Sequence, residues 1–110
     1  MDGLMMHRPL LQSGLLDFAA ESFPEARIVS RRVEGDLHRQ SWAQTRARAV
    51  QLSFALEGLG VAPGDRVATL AWNGHRHLEI YHAVPSIGAV CHTINPRLSA
   101  DQMVFIAHHA

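Results

Sequence analysis

RVATLAWNGHRHLEIYHAVPSIGAVCHTI, residues 66–94, decides the fold. It opens with Val67, Ala68, Leu70, Ala71 and Trp72, almost continuously apolar from Arg66 to Trp72. A short run of that kind suits a strand covered on both faces, as in a parallel sheet. Asn73-Gly74 breaks the run, and an Asn side chain can cap a following helix. A helix is predicted from about His75 to about Pro85, and a second strand over Ala89 to Ile94. Strand, helix and strand within about thirty residues make one βαβ unit. Its strands are expected to pair in parallel, directly or with one strand between, through a right-handed crossover.

Upstream of this unit, Pro63-Gly64 suits the centre of a type II turn, and Asp65-Arg66 sets the entry to the strand. Ser41-Trp42-Ala43-Gln44 has the form of a capping box, a Ser cap with Gln three residues on. The helix it opens should reach about Leu59, where Gly58 and Gly60 stop it. At ~100° per residue, Ala43, Ala47, Val50 and Phe54 share one face, and Leu52, Leu56 and Leu59 the opposite one. Arg46, Ser53 and Glu57 fall in a strip between them. A helix apolar on two sides is expected between layers, packed on the two strands. Further upstream, Arg27 to Val33 and Leu37 to Gln40 read as a hairpin about the turn Glu34-Gly35-Asp36. Leu15, Leu16, Phe18, Ala19 and Ala20 read as a helix that Ser13 would cap and Pro24 would end.

Downstream, Asn95-Pro96 ends the second strand. Ser99-Ala100-Asp101-Gln102 is another capping box, opening a helix with Met103, Ile106 and Ala107 on one side. The fold class is α/β: an N-terminal helix and hairpin, then a βαβ unit and a truncated helix. Two parallel strands need neighbours, because open edges expose backbone groups. Residues 1–110 are therefore expected to be the incomplete N-terminal part of a larger domain.

Composition narrows the chemistry. The 110 residues allow one domain at most. With 47% hydrophobic and 18% charged residues, disorder is not expected. Ten basic residues balance ten acidic ones, which gives no electrostatic argument for nucleic acid as a partner. All ten basic residues are Arg, so no Schiff base, phosphate-cradling Lys or lysine general base can come from this chain. One cysteine, Cys91, cannot form an intrachain disulfide and fits a reducing cytoplasm. The start, with Asp2, Leu4, Met5, Met6, His7, Arg8 and Pro9, lacks the pattern of a signal peptide. No apolar run approaches the ~20 residues a membrane helix requires.

Several motifs have a plain structural reading. Gly58-Leu59-Gly60 with Gly64 follows a helix instead of a strand, so it is a helix stop and turn, not a dinucleotide loop. Eight His residues invite a metal, yet His75 and His77 diverge on a helix, as do His108 and His109, and no metal ligand is assigned. Cys91 on a buried strand is expected to be inert. Trp42 and Trp72 are read as packing residues, and Arg31-Arg32, Arg46 and Arg48 as solvated. His92, Thr93 and Asn95 are the best functional candidates, because ligands of open α/β sheets gather beyond the carboxyl ends of the strands. For Asn95-Pro96 a turn role competes with a functional one. Pro63, Gly64, Asp65 and Pro96 are assigned structural roles.

A further pattern is carried by Leu59-Gly60-Val61, Pro63-Gly64-Asp65-Arg66-Val67-Ala68, Gly88-Ala89-Val90 and Asn95-Pro96-Arg97-Leu98, with Asn73, Glu79 and Tyr81 between. In this order and at these separations they resemble the N-terminal region of adenylate-forming (AMP-binding) acyl-CoA synthetases. Leu70-Ala71-Trp72-Asn73, Arg76-His77-Leu78-Glu79, Ala83-Val84-Pro85 and His92-Thr93-Ile94-Asn95 resemble the medium- and long-chain fatty-acid-CoA ligases and the related 3-methylmercaptopropionyl-CoA ligases. Leu4-Met5-Met6 through Pro9-Leu10-Leu11, Ile28-Val29-Ser30-Arg31 and Val33-Glu34-Gly35 agree.

The resemblance implies a parent enzyme that joins a fatty acid or other small carboxylic acid to coenzyme A through an acyl-adenylate, using ATP and Mg²⁺. It implies homodimers formed through N-terminal segments in some members. The family holds ATP on a Ser/Thr/Gly-rich loop ending in Lys-Gly, on a later Glu and Asp, and on a Lys of a C-terminal domain. None of these matches a residue here, so no catalytic, cofactor-binding or metal residue is carried over. The chain is expected to be scaffold, inactive alone. A non-catalytic α/β interaction module is the reading from another class, and a natural end of the reading frame after Ala110 would favour it.

Overall fold

The computed structural model describes residues 3–4 and 6–110; Met1, Asp2 and Met5, part of the N-terminus read above, lie outside them. The elements are α1 (Gln12–Ser22), β1 (Arg27–Arg31), β2 (Leu37–Ser41), α2 (Trp42–Gly58), β3 (Arg66–Leu70), α3 (His75–Ser86), β4 (Val90–Ile94) and α4 (Ala100–His109). β1 and β2 pair antiparallel, with Arg27 opposite Ser41 and Arg31 opposite Leu37. β3 and β4 pair directly and in parallel, with Arg66 beside Val90 and Leu70 beside Ile94. No described helix is long and apolar enough to cross a membrane.

Both capping boxes form. The Ser41 hydroxyl accepts from the Gln44 N–H at 3.2 Å, and the Gln44 carboxamide accepts from the Ser41 N–H at 2.8 Å. Ser99 and Gln102 repeat the exchange at the start of α4. α2 ends through paired bonds, Gly60 N–H to Glu57 carbonyl and Val61 N–H to Leu56 carbonyl. Gly60 takes φ +93° there, a conformation that favours glycine. Two expected caps are absent. Leu11, not Ser13, is the N-cap of α1, and Ser13 lies inside the helix. Gly74, not Asn73, is the N-cap of α3, with no side-chain cap bond.

The core sits where three helices meet. Leu16 of α1, Ala49 of α2 and Ala83 of α3 form it, with Trp42 and Leu52 packed against them. α2 buries three small residues, Thr45, Ala49 and Ser53, and meets α3 at Ala49 and Ser53. Ser53 Oγ lies 3.0 Å from the Ala49 carbonyl, 3.1 Å from the Ala83 carbonyl and 2.8 Å from Ser86 Oγ, tying the crossing. Here the expected arrangement is corrected. The helix buried between layers is α3, whose buried residues are His75, His77, Glu79, Ala83 and Val84. It takes β1 and β4 as neighbours as well as α1 and α2. α2 packs on α3 instead of on the parallel strands, and its Phe54 is 69% exposed within this chain. Close approach selects small side chains over bulky ones, so Ser53, read as part of a polar strip, lies at the contact. Likewise the parallel pair is covered by α3 on one side only, and Leu70, Val90 and Trp72 are exposed.

A polar chain locks the hairpin onto the helices. His38 Nε2 lies 2.9 Å from Gln40 Oε1, and the Gln40 amide donates to Thr45 Oγ1 at 2.8 Å. Thr45 Oγ1 donates in turn to the Ser41 carbonyl at 2.9 Å. The His38 ring stacks on His75, centroids 3.7 Å apart. Burial, reinforced by His38, lowers the pKa of His75, and burial lowers that of His82 against a hydrogen bond to the Gln12 backbone. Both imidazoles therefore bind protons more readily in the unfolded chain than in the folded one. Stability should be complete above the ordinary histidine value of 6.5 and fall as pH drops below it. Thermal melts of the full-length protein at pH 7.5 and 5.5 should show the lower midpoint at 5.5. His82→Asn should shrink that difference. The carboxylates with lowered pKa, Glu34 and Asp36, start from 4.5 and 3.8 and titrate below this window.

Candidate functional site

The described surface is concave where β3 and β4 end and α3 begins. Two grooves meet there, of about 450 and 480 Å³, and both are lined by Asn73, His77 and Tyr81. One runs toward β1, past Ser30, Arg31 and Gly74. The other lies over the strand ends, along Thr93, Asn95 and Arg97. Strand ends of a parallel pair and a helix N-terminus converge because each βα connection places them on the same edge.

The residues singled out in the sequence separate here. Thr93 lies beside Thr69 in the parallel register and lines the second groove with Asn95. His92 is paired with Ala68, and strand alternation turns it to the other face. It lines neither groove, and its Nε2 is buried without a partner among the described residues. Asn95 Oδ1 accepts from the Arg97 N–H at 3.0 Å, and its carbonyl accepts from the Leu98 N–H at 3.2 Å. This local bonding is what an Asn before a Pro turn supplies. Opposite, Asp65 N–H donates to the Ala62 carbonyl at 3.1 Å across Pro63-Gly64, and Asp65 Oδ2 accepts from the Ala62 N–H at 2.8 Å. Gly64 adopts φ +90°.

The geometry corrects one reading and gives partners to three others. Trp72 is exposed, with the Arg97 guanidinium 5.4 Å from its ring centre, so it is not a core residue. His75 and His77 are buried on two sides of α3, one on His38 and the other bonded to Thr69 Oγ1 at 3.0 Å through Nε2. Arg46 and Arg48 are paired, with Asp17 and Glu79, each at 2.6 Å. Arg32 is paired with Asp36. His77 is the groove residue that sequence reasoning passed over as a failed metal ligand. Its signal was its position three residues past Gly74, in the first turn of a helix that follows a strand.

Among the described residues Glu79 is the carboxylate most removed from water, its side chain 6% exposed, whereas Arg48 is 54% exposed. Removing Arg48 leaves a buried charge uncompensated, which in fully buried pairs costs about 3–5 kcal/mol. Because Arg48 is half in solvent, Arg48→Met should cost less, about 2 kcal/mol. Adding Glu79→Leu should return much of that loss. Urea denaturation of the two variants and their double mutant checks it; equal losses in single and double mutants would contradict the pairing.

The residues present do not fit Mg²⁺·ATP. Among the described residues no group of three His, Cys, Asp or Glu could hold a metal ion. The turn from β3 to α3 carries a single glycine and the chain no lysine, so nothing wraps a triphosphate. The Cys91 thiol is half-buried, and burial raises its pKa, the opposite of what a nucleophile needs.

Comparison with known proteins gives this partial site a context. The chain is 49% identical over 108 residues to a 3-methylmercaptopropionyl-CoA ligase of Ruegeria lacuscaerulensis, covering 98% of this chain and 20% of that protein. It is 47% identical over 106 residues to a long-chain-fatty-acid–CoA ligase of Thermus thermophilus, covering 96% of this chain and 20% of that one. The solved structure of a Mycobacterium tuberculosis fatty acyl CoA synthetase superposes with a TM-score of 0.76 at 31% identity. That match covers 86% of this chain and 18% of the other. The chain thus spans about a fifth of the length of these relatives. The model of the AMP-binding enzymes matches residues 16–110, from α1 through α4. The chain belongs to the AMP-binding enzyme family.

Proposed function

We propose that the protein to which this chain belongs is an AMP-forming acyl-CoA ligase acting on a medium- or long-chain fatty acid. Residues 1–110 would be the incomplete N-terminal part of its large domain. The observation that carries this is the agreement of nearly the whole chain with relatives named as CoA ligases. The carboxylate attacks the α-phosphorus of ATP, releasing pyrophosphate and forming the acyl-adenylate; the coenzyme A thiol then displaces AMP. Mg²⁺ would neutralise phosphate charge from residues outside this chain. Within the chain, α1–α3 and the two strand pairs are scaffold. Thr93 and Asn95 are the candidates for lying near the reacting groups, with His92 held on the reverse face. The exposed apolar start of the chain, Leu10, Leu11, Leu15 and Phe18, suits a homodimer contact.

A second reading has its own support. The relative named as a 3-methylmercaptopropionyl-CoA ligase is 49% identical, the fatty-acid ligase 47%. The acid would then be short and sulfur-bearing. The test is acid-dependent pyrophosphate release by the full-length protein with ATP·Mg²⁺ and coenzyme A. Fatty acids of graded length and 3-methylmercaptopropionate are supplied in parallel. A maximum among the fatty acids supports the first reading, a maximum on the thioether acid the second. Release with neither overturns both.

A further inference from the structure

The β1–β2 hairpin is fastened at its two ends by different means. Its base is held by backbone. The Trp42 and Ala43 N–H groups donate to the Ala26 and Pro24 carbonyls, each at 3.2 Å, and Ser41 of β2 is itself the N-cap of α2. Toward its tip the hairpin meets α3 through side chains. Glu34 accepts from both terminal nitrogens of Arg76 at 3.0 Å, an ion pair about half exposed on each side and therefore weak. The His38 ring lies on His75, with centroids 3.7 Å and planes 20° apart. This stack is the buried part of the attachment, with His75 5% exposed and His38 half-buried. The charges acting on His75 come from Arg48 of α2 and from Arg76 and Glu79 of α3, with His38 opposite; α1, β1 and β4 add none among the described residues. Asp36 acts on His38 from the turn. Each of the carboxylates is already taken: Glu79 by Arg48, Glu34 by Arg76 and Asp36 by Arg32. A proton on the pair thus finds no free counterion, and a proton on each ring sets two like charges 3.7 Å apart, largely out of water. The stacked form holds fewer protons than the parted one, so falling pH favours parting. The pKa of His75, lowered by burial and then by His38, has the same sign.

We propose that the β1–β2 hairpin is a pH-gated flap, hinged where its base meets α2 and latched on α3 by the His38–His75 stack, which parts in mildly acidic solution. Protonation separates the rings, and the tip moves off α3 while the base stays bonded to α2. The Glu34–Arg76 pair stays charged in this range, because Glu34 titrates below 4.5, but an exposed pair is too weak to hold the tip unaided. β1 supplies Val29, Ser30 and Arg31 to one wall of the groove that Asn73, Gly74 and His77 also line, so opening removes that wall. His82 is also buried, but it bonds to the Gln12 backbone, so its protonation loosens α1 and not the hairpin. The device does not rest on the reaction proposed above.

Hydrogen exchange of the full-length protein at pH 7.5 and 5.5, read by mass spectrometry and corrected for the intrinsic pH dependence of exchange, follows the flap directly. Protection over residues 27–41 is expected to fall about 10-fold at the lower pH, as one unit of pKa difference between closed and open forms gives, while residues 66–70 and 90–94 change less than ~3-fold. His75→Phe keeps a ring on His38 and cannot titrate, so its hairpin should be equally protected at both pH values, within ~2-fold. His82→Asn should leave the hairpin response as it is in the parent protein. Equal losses in the hairpin and in β3 and β4 would mean global unfolding and overturn the flap, as would no loss in the hairpin. A full response in His75→Phe, or one abolished by His82→Asn, would overturn the latch. If His75→Phe is already unprotected at pH 7.5, His38→Phe is read in its place by the same criterion.

Discussion

The 110-residue chain made alone is expected to show no acid-dependent pyrophosphate release, a complete loss against the full-length protein. Adenylation needs cations and donors preorganised around the phosphates as charge develops in the transition state. This chain offers ten arginines, of which Arg32, Arg46, Arg48 and Arg76 are already paired with Asp36, Asp17, Glu79 and Glu34. It has no lysine, no cluster of metal-binding carboxylates among its described residues, and no glycine-rich phosphate loop. The assay compares the chain with the full-length protein, using ATP·Mg²⁺ and the acid panel above. Release above a no-enzyme control would show that an active site lies within residues 1–110.

Replacing Ala83 by leucine is expected to lower stability of the full-length protein by about 3 kcal/mol, the upper end for overpacking. Ala83 is 0% exposed, and its carbonyl accepts from the Ser53 and Ser86 hydroxyls at 3.1 and 2.7 Å. Leu16 and Ala49 press on the same point from α1 and α2. Extra methylenes there must push α2 off α3 and stretch the serine bonds at the crossing. Phe54→Ala, a larger change in volume on the exposed side of α2, should cost far less in the isolated chain. Urea midpoints of the full-length Ala83→Leu variant test the first expectation. An unchanged midpoint would mean that α2 and α3 do not cross at Ala83.

Much of this architecture was legible in local chemistry. Ser41 with Gln44 and Ser99 with Gln102 start helices because both partners of each exchange lie within four residues. Gly60 and Gly64 mark a helix end and a turn because their positive φ is a local demand. The almost continuous apolarity from Arg66 to Trp72 and the spacing to Val90–Ile94 foretold a parallel pair, since a βαβ unit needs only its own length to close. The family pattern was likewise readable, being a matter of residue order.

What lay beyond the sequence was which faces meet. Apolar periodicity marks where bulk sits, and it assigned the sandwiched position to α2 through Phe54 and Leu56. The tertiary structure gives that position to α3, whose His75, His77 and Glu79 look polar in sequence and are buried. They are tolerated inside because each finds a partner on another element: His38 of β2, Thr69 of β3 and Arg48 of α2. Such partners lie 8 to 37 residues away in the chain, so no local pattern encodes them. The division of His92 from Thr93 is of the same kind. Alternation told that adjacent strand residues point oppositely, but only the seating of α3 over Thr69 decided which of the two faces the groove.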